Sequence, residues 1–159
     1  MNEKIKFLVD SNLGKLAKWL RVLGYDTTCY SGNANRSFLT KAQKEGRVAL
    51  TRKRDMAQRQ FSGQLAVIEH DRVGEQLEEI VNKLSLEPEM DQILTICLKC
   101  NDKLKAVSKE EVSGMVPDYI FRRHSGFYRC PRCEGIFWPG THRENVDQFL
   151  MTRIPRRHP

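Results

Sequence analysis

Apolar positions in the first half of the chain alternate between short runs and helical spacing. Ile5-Lys6-Phe7-Leu8-Val9 is apolar and partly β-branched and reads as a strand ending at Asp10. Leu13, Leu16, Ala17, Leu20 and Leu23 then recur at helical spacing, with Lys15, Lys18 and Arg21 on the other face. Gly24 falls just past that helix. Tyr25–Tyr30 reads as a second strand, and residues 31–35 as a loop with Asn35 as an N-cap. The helix that follows runs to Lys44 or Glu45 and stops at Gly46. Arg47–Thr51 forms a third strand, Asp55 to about Gln60 a short helix, and Leu65–Ile68 a fourth strand. From Val73 to Leu84 the pattern is amphipathic, with Leu77, Ile80, Val81 and Leu84 on one face and Glu75, Glu78 and Glu79 on another. Strands alternating with helices predict the α/β class: a parallel sheet flanked by helices.

The pattern breaks at residues 85–92, Ser-Leu-Glu-Pro-Glu-Met-Asp-Gln, which read as a linker. The expected organisation is an α/β domain over 1–84, this linker, a small module over 93–150 and a basic tail over 151–159. Within the module, Ser108-Lys109-Glu110-Glu111 has capping-box spacing. Phe127-Tyr128 and Ile136-Phe137-Trp138 flank a cysteine pair as strands would. Pro139-Gly140 makes a turn, and Thr141 caps a last short helix.

Four of the five cysteines form two Cys-x-x-Cys pairs, Cys97/Cys100 and Cys130/Cys133. Each pair can grip an ion from one tight turn, and two pairs complete the tetrahedral thiolate shell of a structural Zn2+ site. A disulfide or redox dithiol fits less well, since a lone redox pair needs no second pair. Cys29 stands apart and reads as a small buried apolar residue.

Charge narrows the function. The net charge is +7, and residues 97–159 hold 12 Lys+Arg against 7 Asp+Glu, while residues 1–96 hold 15 against 13. Even after the thiolates of a zinc site are counted, this bias favours a polyanionic partner, RNA foremost. Arg52, Lys53, Arg54, Arg122, Arg123, Arg129 and Arg132 are the candidate phosphate contacts. Phe127, Tyr128 and Trp138 offer either base-stacking faces or a small core. The opening residues do not read as a secretory signal, and no apolar run is long enough to span a bilayer. A cytoplasmic protein is the expectation.

Ligands of parallel sheets sit beyond the carboxyl ends of the strands. Asp10 follows the first strand, Arg52 and Lys53 the third, and Glu45 closes the second helix. Acidic side chains converging there would hold Mg2+ or Mn2+. The run from Phe7 through Asp10-Ser-Asn-Leu-Gly-Lys-Leu-Ala-Lys-Trp-Leu-Arg-Val-Leu-Gly to Tyr25-Asp26 resembles the opening of the PIN-like RNase family named for the C-terminal domain of the Mut-seven exonuclease. Glu45-Gly-Arg-Val-Ala-Leu-Thr-Arg52 is similar to its next block. The stretch from Cys97 to Val146 is similar to the zinc ribbon fused to it, with Val116-Pro117, Phe127 to Cys133 and Trp138-Pro-Gly-Thr-His142 as the matching runs.

That resemblance implies a PIN-like fold, metal-dependent RNase chemistry from clustered acids, and a ribbon that helps hold RNA. It makes Asp10 the first catalytic acid and Glu45 an acid at the end of the second helix. The loop before that helix, where the family carries aspartates, reads Gly32-Asn33-Ala34-Asn35-Arg36 here. The Thr-Arg-Asp block reads Thr51-Arg52-Lys53. Asn35 and Lys53 therefore stand at expected acid positions, and an ammonium there repels a divalent ion. Asp55 is a substitute acid only if the turn shifts register. Three functions stay open: an RNA-binding relative with a degenerate nuclease site, an active Mg2+- or Mn2+-dependent ribonuclease using Asp10 and Glu45, and a zinc-stabilised adaptor for a protein partner. Structured or ribosomal RNA and a homodimer are within its range.

Overall fold

The computed structural model describes residues 4–59, 61, 63–139 and 141–153, without the side chains of 141–143 and 153. The chain divides into two compact units, Met1–Ile93 and Leu94–Pro159.

In the first unit the elements run β1 (Phe7–Val9), α1 (Gly14–Val22), β2 (Thr27–Cys29), α2 (Arg36–Glu45), β3 (Val48–Thr51), β4 (Leu65–Val67) and α3 (Val73–Leu84). All four strands are parallel, in the order β2-β1-β3-β4. The first crossover therefore leads outward from β1 and the second returns past it. Crossovers of one hand then place α1 and α2 on opposite faces. Leu8 and Ala49 accordingly pack with Phe38, Leu39 and Ala42 of α2 and with Met56, while α1 and α3 contact each other. Because both faces are covered, Phe7, Leu8 and Val9 are each fully buried and the strands read as unbroken apolar runs.

The helix ends follow sequence chemistry. The Asn35 side chain accepts from the Ser37 N–H at 2.9 Å and caps α2. Gly46 ends α2 in the left-handed region. Between β3 and β4 the short helix is a 3-10 segment, Arg54–Gln58, and Gln60 lies outside the described residues.

Cys29, expected to be buried, is exposed at the end of the edge strand β2, whereas two positions assigned to polar faces are buried. Arg21 turns inward, its Nε donating to the Thr27 carbonyl at 2.9 Å. Glu79 turns beneath the loop that follows β4 and is 8% exposed. Residues 85–92, expected as a linker, lie along the first unit. Leu86 and Ile93 are buried, and Gly24 at φ +90 leaves room for this return, since a Cβ there would stand 2.5 Å from the Gln92 carbonyl oxygen.

The second unit holds β5 (Lys105–Val107), α4 (Asp118–Arg123), β6 (Phe127–Arg129), β7 (Ile136–Phe137) and α5 (Thr141–Arg153). Its sheet is antiparallel in the order β5-β6-β7. Ser108 and Glu111 form a reciprocal capping box, which opens a 3-10 turn at Glu110–Val112. The small core joins Val112, Val116 and Phe127, with Trp138 packed against them. β5 and α4 carry no strong sequence signal. The helix α5, expected to be short, spans 13 residues. The Thr141 cap, the His142 side chain, Gly140 and the tail beyond Arg153 lie outside the described residues. No helix among the described residues is long and apolar enough to cross a membrane.

Candidate nuclease edge and metal centre

Strand order reverses between β1 and β3, the place where open parallel sheets bind ligands. Asp10 leaves β1 at that point. Its N–H donates to the Leu50 carbonyl at 2.9 Å, so the β1–β3 pairing carries to the last residue. The side chain is only 3% exposed. One carboxylate oxygen accepts from the Ser11 N–H at 2.7 Å and more weakly from the Ser11 hydroxyl at 3.4 Å. The other accepts from the Thr51 hydroxyl at 2.8 Å. An ionised carboxylate has about four lone-pair positions, so these contacts leave it little spare capacity. No ion pair reaches Asp10 among the described residues.

Thr51 passes the link onward, its hydroxyl accepting from the Lys53 N–H at 3.1 Å. The Lys53 ammonium then reaches the Ala34 carbonyl at 3.1 Å, next to the Asn35 cap. Asp10, Asn35, Arg52 and Lys53 thus share the carboxyl edge of the sheet. Arg52 pairs with the exposed Asp71. Arg54 and Asp55 are exposed on the 3-10 segment.

Glu45 does not join them. It ends α2 at the amino edge and accepts from Arg47 Nε at 3.2 Å. Arg47 also donates to Asp26 at 2.8 Å and to the Phe7 carbonyl at 3.3 Å, both at strand starts. Asp10 lies three residues further along β1, about 10 Å at the strand rise. A helix that returns from the end of β2 to the start of β3 must finish there, so the expected convergence of Asp10 with Glu45 gives way to two separate edges.

One polar network was not foreseen. Glu79 accepts from the N–H groups of Glu69 and His70, from His70 Nδ1 at 2.6 Å and from Lys83 Nζ at 2.7 Å. Burial alone would raise its pKa, but Lys83, His70 and the two backbone donors hold it down at about 2. The hydrogen bond to Glu79 in turn raises His70. Gln76 Nε2 donates to the His70 carbonyl at 2.9 Å, so two buried α3 side chains fix the loop after β4. The only sequence signal was the Glu79–Lys83 spacing of four.

In the second unit, the two cysteine turns are built alike. Cys97 N–H donates to the Asp102 carbonyl and Asn101 N–H to the Cys97 carbonyl. Cys130 N–H donates to the Gly135 carbonyl and Glu134 N–H to the Cys130 carbonyl. Asn101 and Glu134 both take a positive φ, 65 and 62. The four ligand atoms lie within 4.8 Å of one another, with Cys97 and Cys133 sulfurs 3.8 Å apart. A tetrahedron with metal–sulfur bonds of about 2.3 Å has edges of about 3.8 Å, so the four cysteines could hold a metal such as zinc. A disulfide would need a separation of about 2 Å. Burial raises Cys97, and it pushes Cys100 up to about 12. Burial acts the same way on Cys130, but the N–H groups of Cys133 and Arg132 bring it to about 7. A cation at the centre would favour the thiolate at all four.

The ribbon arginines differ in their surroundings. Arg122 and Arg123 are exposed in the last turn of α4, where cations suit the helix dipole. Arg129 is half-buried and touches Met115 Sδ at 3.5 Å. Arg132 Nε pairs with Asp102 at 2.8 Å and ties one cysteine turn to the other. Phe127 belongs to the core, whereas Tyr128 is exposed on the opposite sheet face.

A parallel sheet with an aspartate at its reversal point, followed by a ribbon with four clustered cysteines, defines a PIN-like α/β protein fused to a zinc-ribbon module. Residues 5–150 match the family described as the Mut7-C RNAse domain. The chain belongs to that family. No curated protein and no solved structure matches it significantly.

Proposed function

We propose that this chain binds RNA through a PIN-like unit whose ribonuclease centre is degenerate, and that the ribbon following it in sequence folds around a structural Zn2+. The company kept by Asp10 carries this reading. At its edge of the sheet stand a capping amide, Asn35, and an ammonium, Lys53, where the family pattern has acids, and Glu45 lies at the far edge. Among the described residues the only group of three or more metal-ligating side chains is the cysteine cluster. A two-ion hydrolytic site needs several converging carboxylates, whereas Lys53, Arg52 and Arg54 suit a phosphate. Family membership and the positive charge favour RNA as the partner. Four thiolates in a tetrahedron select Zn2+ over the hard ions.

One observation favours a second reading, an active ribonuclease. Asp10 is a buried carboxylate with no ion-pair partner among the described residues, and buried charges are ordinarily paired or bound to metal. A Mg2+ or Mn2+ ion held there would supply a polarised water and a charge for the phosphate, with Lys53 beside it.

Cleavage of a labelled RNA panel by metal-stripped protein, with Mg2+ or Mn2+ restored, separates the two. Under the proposal the protein binds RNA without cutting it, and the double variant Asn35→Asp, Lys53→Asp gains Mn2+-dependent cleavage. Metal-dependent cutting by the native chain, lost in Asp10→Ala, would establish the second reading instead.

A further inference from the structure

Next to the Asp10 corner, the segment after β1, the end of β3 and the start of α3 enclose a cleft of about 690 Å³. Its polar lining is Asn12, Lys15, Arg52, Asp71, Arg72 and Gln76. Three of these are cations and one is an anion, so the cleft has positive charge to spare. The single anion, Asp71, is 84% exposed and pairs with Arg52 from the solvent side. An exposed ion pair of that kind exchanges readily for a better anion. Among the described residues, Arg52 also keeps a buried Nε donor without a partner, and no hydrogen bond or ion pair engages the side chains of Lys15 or Arg72. The backbone beneath them is held firmly. Gln76 Nε2 donates to the carbonyls of His70 and Asp71, and Glu79 accepts from the two N–H groups just before. The loop that presents Arg72 is therefore organised before any ligand arrives, which lowers the ordering cost of binding.

We propose that this cleft takes a phosphate group of an RNA strand, with Lys15, Arg52 and Arg72 as its donors and the phosphate replacing Asp71 on Arg52. Guanidinium groups match phosphate oxygens in pairs, and an ammonium adds charge without demanding geometry. The inference rests on the RNA-binding reading and adds to it Lys15, Arg72 and an acid that opposes binding.

The test is fluorescence anisotropy of the full chain with a labelled 12-nucleotide single-stranded RNA, prepared with a 5′-hydroxyl and with a 5′-phosphate, over a salt series. Lys15→Ala and Arg72→Ala each weaken binding by about 3- to 10-fold and each reduce the salt slope by about 1. Both side chains are exposed and have no partner among the described residues, so unchanged circular dichroism is expected. Asp71→Asn tightens binding by about 2- to 5-fold at low salt, while Glu87→Gln, a control at the opposite edge, does not. Equal losses on both RNAs assign an internal phosphodiester, and losses confined to the 5′-phosphate form assign a terminal phosphate. Native binding with no change in Lys15→Ala, Arg72→Ala or Asp71→Asn overturns this inference alone. No RNA binding by the native chain overturns the functional proposal, and this inference with it.

Discussion

Replacing Glu79 by Gln keeps the shape of the side chain and removes its charge. In the native chain the carboxylate is 8% exposed and accepts from four donors. A glutamine cannot match them, because its NH2 group must face either Lys83 or His70. Glu79 is held at about 2 against an ordinary 4.5, and at about 1.4 kcal/mol per pH unit that gap is worth about 3 kcal/mol of stability. The folded pKa is the lower one, so this stabilisation is complete above pH 4.5 and disappears as the pH falls towards 2. His70 has the opposite sign. Its pKa is raised from 6.5, so its contribution is full below pH 6.5 and fades as the pH rises through the folded value. Glu79→Gln is expected to cost the first unit about 2–3 kcal/mol at pH 6. At pH 3.5 the difference from native should be about 1 kcal/mol smaller. Urea unfolding followed by Trp19 fluorescence, in a Trp138→Phe background, reads the first unit alone, since Trp19 lies in α1. A difference below about 0.5 kcal/mol at pH 6, or one that does not shrink at pH 3.5, would refute the network as a source of stability.

Four further outcomes follow from the geometry. Chelation, or Cys130→Ser, should unfold the second unit while Trp19 still reports a folded first unit, and native protein should bind one zinc per chain by metal analysis. Arg47→Ala should destabilise the first unit by about 2–3 kcal/mol, because a guanidinium 10% exposed loses Asp26, Glu45 and a strand carbonyl together. Glu45→Gln should cost under about 1 kcal/mol and leave RNA affinity and any cleavage untouched, as measured in parallel with Asp10→Ala. Gly24→Ala should cost upwards of about 1–2 kcal/mol in urea unfolding, since the φ of +90 and the Gln92 carbonyl both oppose a Cβ.

Much of the fold is legible because the parallel sheet writes itself as apolar runs and its helices as apolar stripes. Val73–Leu84 has the bounds predicted from its stripe. Asn35 and Gly46 bracket α2 by chemistry that acts within one turn of the chain. Long-range matters were hidden. Nothing local to Glu45 says that α2 ends at the amino edge, because this follows from the strand order. Glu79 and Arg21 look like surface charges until the loop after β4 and the start of β2 supply backbone partners for them. β5 exists because β6 needs a second neighbour, and Lys-Ala-Val has little strand preference of its own. The cysteine cluster was readable because four thiols in two short pairs leave few other arrangements. The Asp10 corner was readable only in part, since the sequence shows which acids are missing but not that Thr51, Ser11 and Lys53 fill the space.

The two cysteine turns are each self-contained, closed by their own backbone hydrogen bonds, with 29 residues of chain between Cys100 and Cys130. An ion that joins them acts as a clasp on a loop, and the entropy of closing a loop grows only with the logarithm of its length. Going from a more usual spacing of about 18 residues to the present one costs about 0.4 kcal/mol. That is little beside the core made by Val112, Val116 and Phe127, of which the first two come from the inserted stretch and the third from its end. The long spacing is thus an inexpensive extension that supplies most of the ribbon's apolar interior, and further insertions at the exposed turns between β5 and α4 should be tolerated for the same reason.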